Sequence, residues 1–355
     1  MKKSTLLCLI ALFVFLLSCR TDFDVNEEWE DITVVFGLLD QADSAHYLRI
    51  NKTFLGNEDA YIMAQSADSL YYEDLVVTLE EWKDGHPTKS FSMCKSENEF
   101  VKEEGIFANF PNILYKTTEK LDSSAEYRLS IYIPGYDKEV TASTQLIHGL
   151  HIDYMFLAPQ KEIGIISDES FKIGSAENAK VYDVILRFHY YETYDEMNFV
   201  HDSIDWRLPQ VTSGGTAGGE NIEISFAGSS FQSFLLANLE ENTNIRRVAR
   251  SKRNKDNFPP SAMDYTHGAF DIVISMGGQD LYTYITVSAP SQGIVQEKPA
   301  FTNISDGGLG LFSCRNSRTI YGKEMGSMSI DTLALSASTK KLNFADSQGN
   351  FWWED

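Results

Sequence analysis

Leu16, Leu17, Ser18 and Cys19 stand together near the start of the chain. Two aliphatic residues, a small residue and a cysteine offer a scissile bond that a peptidase can approach, followed by a thiol able to accept a diacylglyceryl group. The flanks agree with that chemistry. Lys2 and Lys3 make a positive start, and Leu6 to Leu17 is an unbroken apolar run. A run of about a dozen residues is short for a bilayer-spanning helix, which needs ~20, and fits the hydrophobic region of an export signal. The expectation is cleavage before Cys19, acylation of its thiol and freed amine, and a lasting anchor, since each buried methylene contributes ~0.8 kcal/mol.

A second chemical grouping is basic. Arg246, Arg247, Arg250, Lys252, Arg253 and Lys255 fall within ten residues of a chain that holds 51 acidic and 30 basic residues, formal net charge −21. Guanidinium forks bind carboxylates and phosphates well. The stretch reads either as a solvated loop balanced by acidic neighbours or as a docking patch for an acidic partner or for lipopolysaccharide phosphates. If it docks a partner, reversing Arg246, Arg247 and Arg250 to glutamate is expected to weaken association markedly with little loss of folding stability, because a loop of solvated charges supports no core.

Other candidates carry less. His148 and His151 would point to opposite faces of a strand, which a metal site cannot easily use. His189 lies in an aromatic run with Phe188, Tyr190, Tyr191 and Tyr194, which reads as core and cross-strand pairs or as a sugar-stacking platform. No G-x-S-x-G nucleophile elbow occurs. Ser213 to Gly219 (SGGTAGG) is expected to be a flexible loop and lacks the lysine that a phosphate-cradling loop requires. The acids follow no calcium-loop spacing. No catalytic residue, metal or cofactor is expected. Once the export signal and Cys19 are set aside, Cys94 and Cys314 remain, and two unpaired, buried thiols are expected.

The acidic balance excludes general nucleic-acid binding, which needs a positive field. It suits a soluble body repelled by anionic lipid surfaces. After Cys19, residues up to 31 form an acidic tether that includes Asp22, Asp24, Glu27 and Glu28. Such a cluster resembles the surface-export signal of Bacteroidetes lipoproteins. Asp43-Ser44-Ala45, Asp68-Ser69-Leu70, Asp202-Ser203-Ile204 and Asp331-Thr332-Leu333 resemble the O-glycosylation acceptor of exported Bacteroidetes proteins, which makes Ser44, Ser69, Ser203 and Thr332 candidate acceptors. Asp-Ser also marks turns without modification.

The elements that must position these residues read mainly as strands. Ile32 to Leu39, Ala45 to Phe54, Leu75 to Trp82, Tyr127 to Ile133 and Lys138 to Leu146 are strand candidates, with a hairpin turn at Lys83-Asp84-Gly85. Asn57 to Ser69 reads as a short helix or insertion. Residues 32–147 are expected to form an immunoglobulin- or transthyretin-like sandwich. Residues 148–355 are expected to form a second, mainly β domain with short helices. There, strands are expected at Ile152 to Leu157, Val181 to Tyr191 and Phe270 to Met276, with an edge strand at Gly308 to Ile320. Helices are expected at Phe231 to Glu241 and Ser329 to Leu335, and Asp280 to Ser288 stays open between helix and strand. Trp352 and Trp353 stand near the end.

The order of lipobox, acidic tether, ITVVFGLLDQADSAHYLRINKTFLG, EYRLSIYIPGYDKEVTASTQL and FTNISDGGLGLFSCRNSRTI resembles that of Bacteroidetes surface lipoproteins carrying a domain of unknown function. These are often encoded beside TonB-dependent receptors. The most specific stretch is Asn303, Ile304, Gly308, Leu309, Gly310 and Phe312. Asp306 and Gly307 lengthen its turn, and Cys314 replaces a small residue. The resemblance implies an outer-membrane-anchored accessory or binding lipoprotein that assists such a receptor or another surface assembly without catalysis. An adhesin or pilus-like subunit is the first alternative, and it needs an edge strand that accepts a donor. A surface glycan-binding or glycan-hydrolysing protein is the second.

Overall fold

The structure, a computed structural model, describes residues 31–54, 59–158, 161–195, 197–242, 244–252, 258, 267–289 and 300–351. Cys19, the acidic tether before residue 31, Arg253, Lys255, Trp352 and Trp353 lie outside the described residues.

In chain order the strands are β1 (Thr33–Leu39), β2 (His46–Lys52), β3 (Val76–Lys83), β4 (His86–Ser92), β5 (Cys94–Glu97), β6 (Ile113–Thr117), β7 (Glu126–Ile133), β8 (Lys138–Gln145) and β9 (His151–Ile152). They continue with β10 (Asp168–Gly174), β11 (Ala179–Thr193), β12 (Val200–Arg207), β13 (Val211–Thr212), β14 (Asn221–Ala227), β15 (Arg246–Ala249), β16 (Phe270–Gly278) and β17 (Leu309–Lys323). The helices are short: α1 (Ala60–Ala64), α2 (Ala67–Leu70), α3 (Tyr154–Leu157), α4 (Gly228–Asn238), α5 (Gln279–Ser288) and α6 (Ser327–Leu335). The protein is mainly β, consistent with β-sandwich-like architecture.

Local sequence explains many of these elements. In β7, Tyr127, Leu129, Ile131 and Ile133 alternate inward while Arg128 and Ser130 lie less buried. The turn after β3 places Asp84 and Gly85 at φ of 51° and 78°, the two left-handed residues that a two-residue hairpin turn favours. The segment expected to hold a helix or insertion forms α1 and α2.

Three sheets organise the described residues. One is four-stranded, β4-β3-β7-β8, and one is three-stranded, β14-β10-β9. The third runs β12-β11-β16-β17-β1-β2-β6-β5, with β13 and β15 also paired to β11. This ten-stranded sheet crosses the expected division at residues 147 and 148. β1 pairs in parallel with β17, from Val34 opposite Leu309 to Leu39 opposite Cys314. One apolar core includes Val35, Leu129, Phe188 and Ile272 from both segments.

Two strand expectations need correction. β17 is internal rather than an edge, flanked by β1 and β16. Gly310 allows this approach: it takes φ +109°, and a Cβ there would stand 2.0 Å from the Val35 carbonyl oxygen. The strand expected at Ile152 to Leu157 stops after two residues, and α3 follows. Its turn stacks Phe156 on Phe171 at 4.3 Å. It also aims the carbonyls of Phe156 and Ala158 at Lys323 Nζ, 2.7 and 2.9 Å away. Satisfying that buried ammonium favours the helical turn over a longer strand.

Candidate functional site

The basic stretch forms β15 and the residues after it. Arg247 is 2 % exposed. Its Nε donates to Glu192 Oε1 at 2.7 Å, and its guanidinium also donates to the carbonyls of Glu240 and Leu342 at 3.0 and 2.9 Å. Arg250 is buried, donates from Nε to the Gly268 carbonyl at 2.9 Å, and lies 3.8 Å from Asp271. Arg246 sits 5.2 Å from the Phe351 ring centre, and exposed Lys252 lies 3.5 Å from Glu324. The expected loop or docking patch is therefore corrected for Arg247 and Arg250. Ile245, Val248 and Ala249 are apolar and buried, so the segment pairs with β11 and its inward cations must be bonded internally.

The other sequence candidates separate. Phe188, Tyr190 and Tyr191 are core residues, while Tyr194 alone is strongly exposed. That run assembles no sugar platform, because Phe188 packs on Phe231, Phe270 and Phe344. Ser44 and Ser203 are exposed, whereas Ser69 and Thr332 are half-buried in α2 and α6. The Thr332 hydroxyl donates to the Met328 carbonyl at 2.7 Å. His148 lies 3.3 Å from Glu177, and His151 is exposed on β9. Among the described residues no three or more His, Cys, Asp and Glu side chains are grouped to hold a metal. Cys94 and Cys314 are both free, but Cys94 is exposed rather than buried; it lies on β5, at one end of the ten-stranded sheet. Burial pushes the Cys314 thiol up to about 11, and it donates to the Gln145 carbonyl. The loop from Ser213 to Gly219 is tied down rather than free: the N–H of Asn178 donates to the Thr216 carbonyl, and that of Gly219 to Ser175, both at 2.8 Å.

His189 belongs to a polar network. Its Nε2 is 3.0 Å from Asp271 Oδ2 and its Nδ1 is 3.0 Å from His201 Nε2. Asp271 Oδ1 accepts the Gly322 N–H at 2.8 Å. Burial alone would push the Asp271 carboxyl up. The hydrogen bonds from His189 and Gly322, with the charges of His189 and Arg250, outweigh it and hold the carboxyl below its ordinary value.

A concave surface lies elsewhere, on the outer face of β1 and β2. β1 is apolar on both faces. Val35 and Leu39 enter the core, while Val34, Phe36 and Leu38 face the other way. Strand register sets Leu309, Val34 and Asn51 in one row and Leu311, Phe36 and Arg49 in the next. α5 rises on one side, where Tyr284 meets Phe36 edge-on at 5.9 Å. Leu70, Tyr71, Lys102 and Phe107 stand on the other side. Phe36 and Arg49 separate two cavities, one of about 480 Å³ towards α5 and one of about 470 Å³ towards α2 and Phe107.

The second cavity joins an apolar lining to Arg49, Lys52 and Lys102, with no Asp or Glu among the described residues that line it. Lys52 lies 3.9 Å from Asp31. Lys102 Nζ donates to the Ala108 carbonyl at 2.9 Å; burial and then the Arg49 charge lower its pKa. The Arg49 side chain is half-buried and has no hydrogen-bond or ion-pair partner among the described residues. The arrangement can hold an apolar group beside an anion. Sequence reasoning missed it, although one signal was present. The apolar run in β1 lacks alternation, so its outward side chains are apolar as well as its inward ones.

No family model matches this chain, and no curated protein shows significant sequence similarity to it. No helix among the described residues is long and apolar enough to cross a membrane.

Proposed function

We propose that this protein is an accessory lipoprotein, held on the outer membrane by acyl chains on Cys19, that captures a ligand for a surface assembly without transforming it. The observation that carries the reading is Leu16-Leu17-Ser18-Cys19 behind a short apolar run. The open trough over β1 and β2 supports capture, because concave apolar surfaces with a few polar groups are where small molecules bind. A TonB-dependent receptor is the partner that the family resemblance suggests. The acidic charge of −21 argues against nucleic acid as a partner. Metabolic labelling with a fatty-acid probe tests the anchor. Wild type takes up label and fractionates with outer membranes, and Cys19→Ala does neither. A labelled, membrane-bound Cys19→Ala protein refutes the reading.

A further inference from the structure

We propose that the cavity between Phe36 and Phe107 binds a long-chain monocarboxylate, with Arg49 holding the carboxylate and the apolar floor holding the chain. This names the ligand class for the capture proposed above and rests on that reading.

Three observations converge on this ligand. The first is the lining. Val34, Phe36, Phe54, Leu70 and Phe107 surround about 470 Å³, within the roughly 300–1,000 Å³ typical of small-molecule sites. The neighbouring cavity of about 480 Å³ shares Phe36 and Arg49 with it. The second is charge. A cavity whose described lining holds three cations and no carboxylate stands out in a chain with 51 acids and 30 bases. The third is Arg49 itself. Arg128, Arg187, Arg207, Arg247, Arg250 and Arg315 each lie 2.6–3.8 Å from a carboxylate. Arg49 has no such partner among the described residues, yet it lies half-buried beside Phe36.

Charge count selects the head group. Lys52 already has Asp31 nearby, and Lys102 already donates to a carbonyl. One unbonded guanidinium remains, and its planar fork matches a single carboxylate. A neutral apolar molecule leaves that guanidinium uncompensated, and a short anion leaves the apolar floor in water. A carboxylate with a long chain satisfies both.

The test uses the full chain carrying Cys19→Ala, which leaves every described residue unchanged. Titration calorimetry with dodecanoate, below its micelle-forming concentration, should show one saturable site per chain. Dodecanol keeps the chain and acetate keeps the charge, so each should bind about tenfold or more weakly than dodecanoate. Arg49→Gln should weaken dodecanoate by a similar factor and leave dodecanol unchanged. No saturable binding, equal affinity for dodecanol, or an unaffected Arg49→Gln variant overturns the inference. Tighter binding of dodecyl phosphate overturns the carboxylate assignment. If Arg49→Gln does not fold, the comparison of ligands on the parent chain decides alone. Failure here with intact labelling at Cys19 sinks the ligand class and leaves the anchor standing.

Discussion

Arg49 and Arg247 are borne by strands of the same ten-stranded sheet, and their surroundings are opposite. Arg247 comes from the densest basic stretch of the sequence. It is enclosed by Glu192 and two carbonyls, and it ties β11 and β15 to the segment that follows α6. Arg49 comes from an unremarked strand, lies among apolar side chains, and meets no carboxylate among the described residues. Cation density along a chain therefore does not locate a binding surface; what matters is whether the fold supplies the counter-charge. An arginine that the fold has paired is a strut, and one left unpaired beside an apolar floor is available to a ligand.

The largest expected effect lies at the strut. Arg247→Ala strands Glu192 and two carbonyls and should cost roughly 3–5 kcal/mol in chemical denaturation, the range for breaking a buried ion pair. Arg246→Ala, next to it but only half-buried over Phe351, should cost less than about 1 kcal/mol. Equal losses at the two positions would erase the distinction between an enclosed cation and a half-buried one.

A middling effect is expected where Asp271 meets His189 and Arg250. Asp271→Asn should lower stability by about 2 kcal/mol near neutral pH, the worth of hydrogen bonds to a charged group. The folded-state pKa of Asp271 lies below the ordinary 3.8. Its ionised form therefore stabilises the fold above that value, and the contribution is lost as pH falls through the lower folded value. The gap in unfolding free energy between wild type and Asp271→Asn should narrow steadily below pH 3.8. A gap that widens in acid contradicts this account.

The smallest effect on stability belongs to Arg49. Arg49→Ala should change the unfolding free energy by no more than about 0.5 kcal/mol, since it removes no internal partner. A loss near that of Arg247→Ala would mean that Arg49 is another strut, and the comparison would fail.

Much of the fold is legible locally. Alternation in Tyr127 to Ile133 marks β7, Asp84-Gly85 marks the hairpin, and the helical spacing from Phe231 marks α4. What escapes a local reading is partnership. Leu309 to Cys314 reads as an edge because nothing near it in sequence announces β1, some 270 residues away along the numbering. Arg246 to Arg250 reads as solvated because Glu192 and the carbonyl of Leu342 lie far off along the chain. The trough depends on three distant elements, so its cations could not be separated from the chain's other charges. Only the two-sided apolar character of Ile32 to Leu39 hinted at it.

The parallel pairing of β1 with β17 also bears on how the chain can be made. The first described strand stays half-complete until residues beyond 308 are present, so its main-chain amides and carbonyls on that side have no strand partner while the intervening polypeptide emerges. A long-range closure of this kind slows folding, because chain entropy is lost well before the contact rewards it. It also makes the body intolerant of truncation. A chain ending before Leu309 would leave apolar edges on both β1 and β16, and unpaired edges of that kind recruit other strands into aggregates.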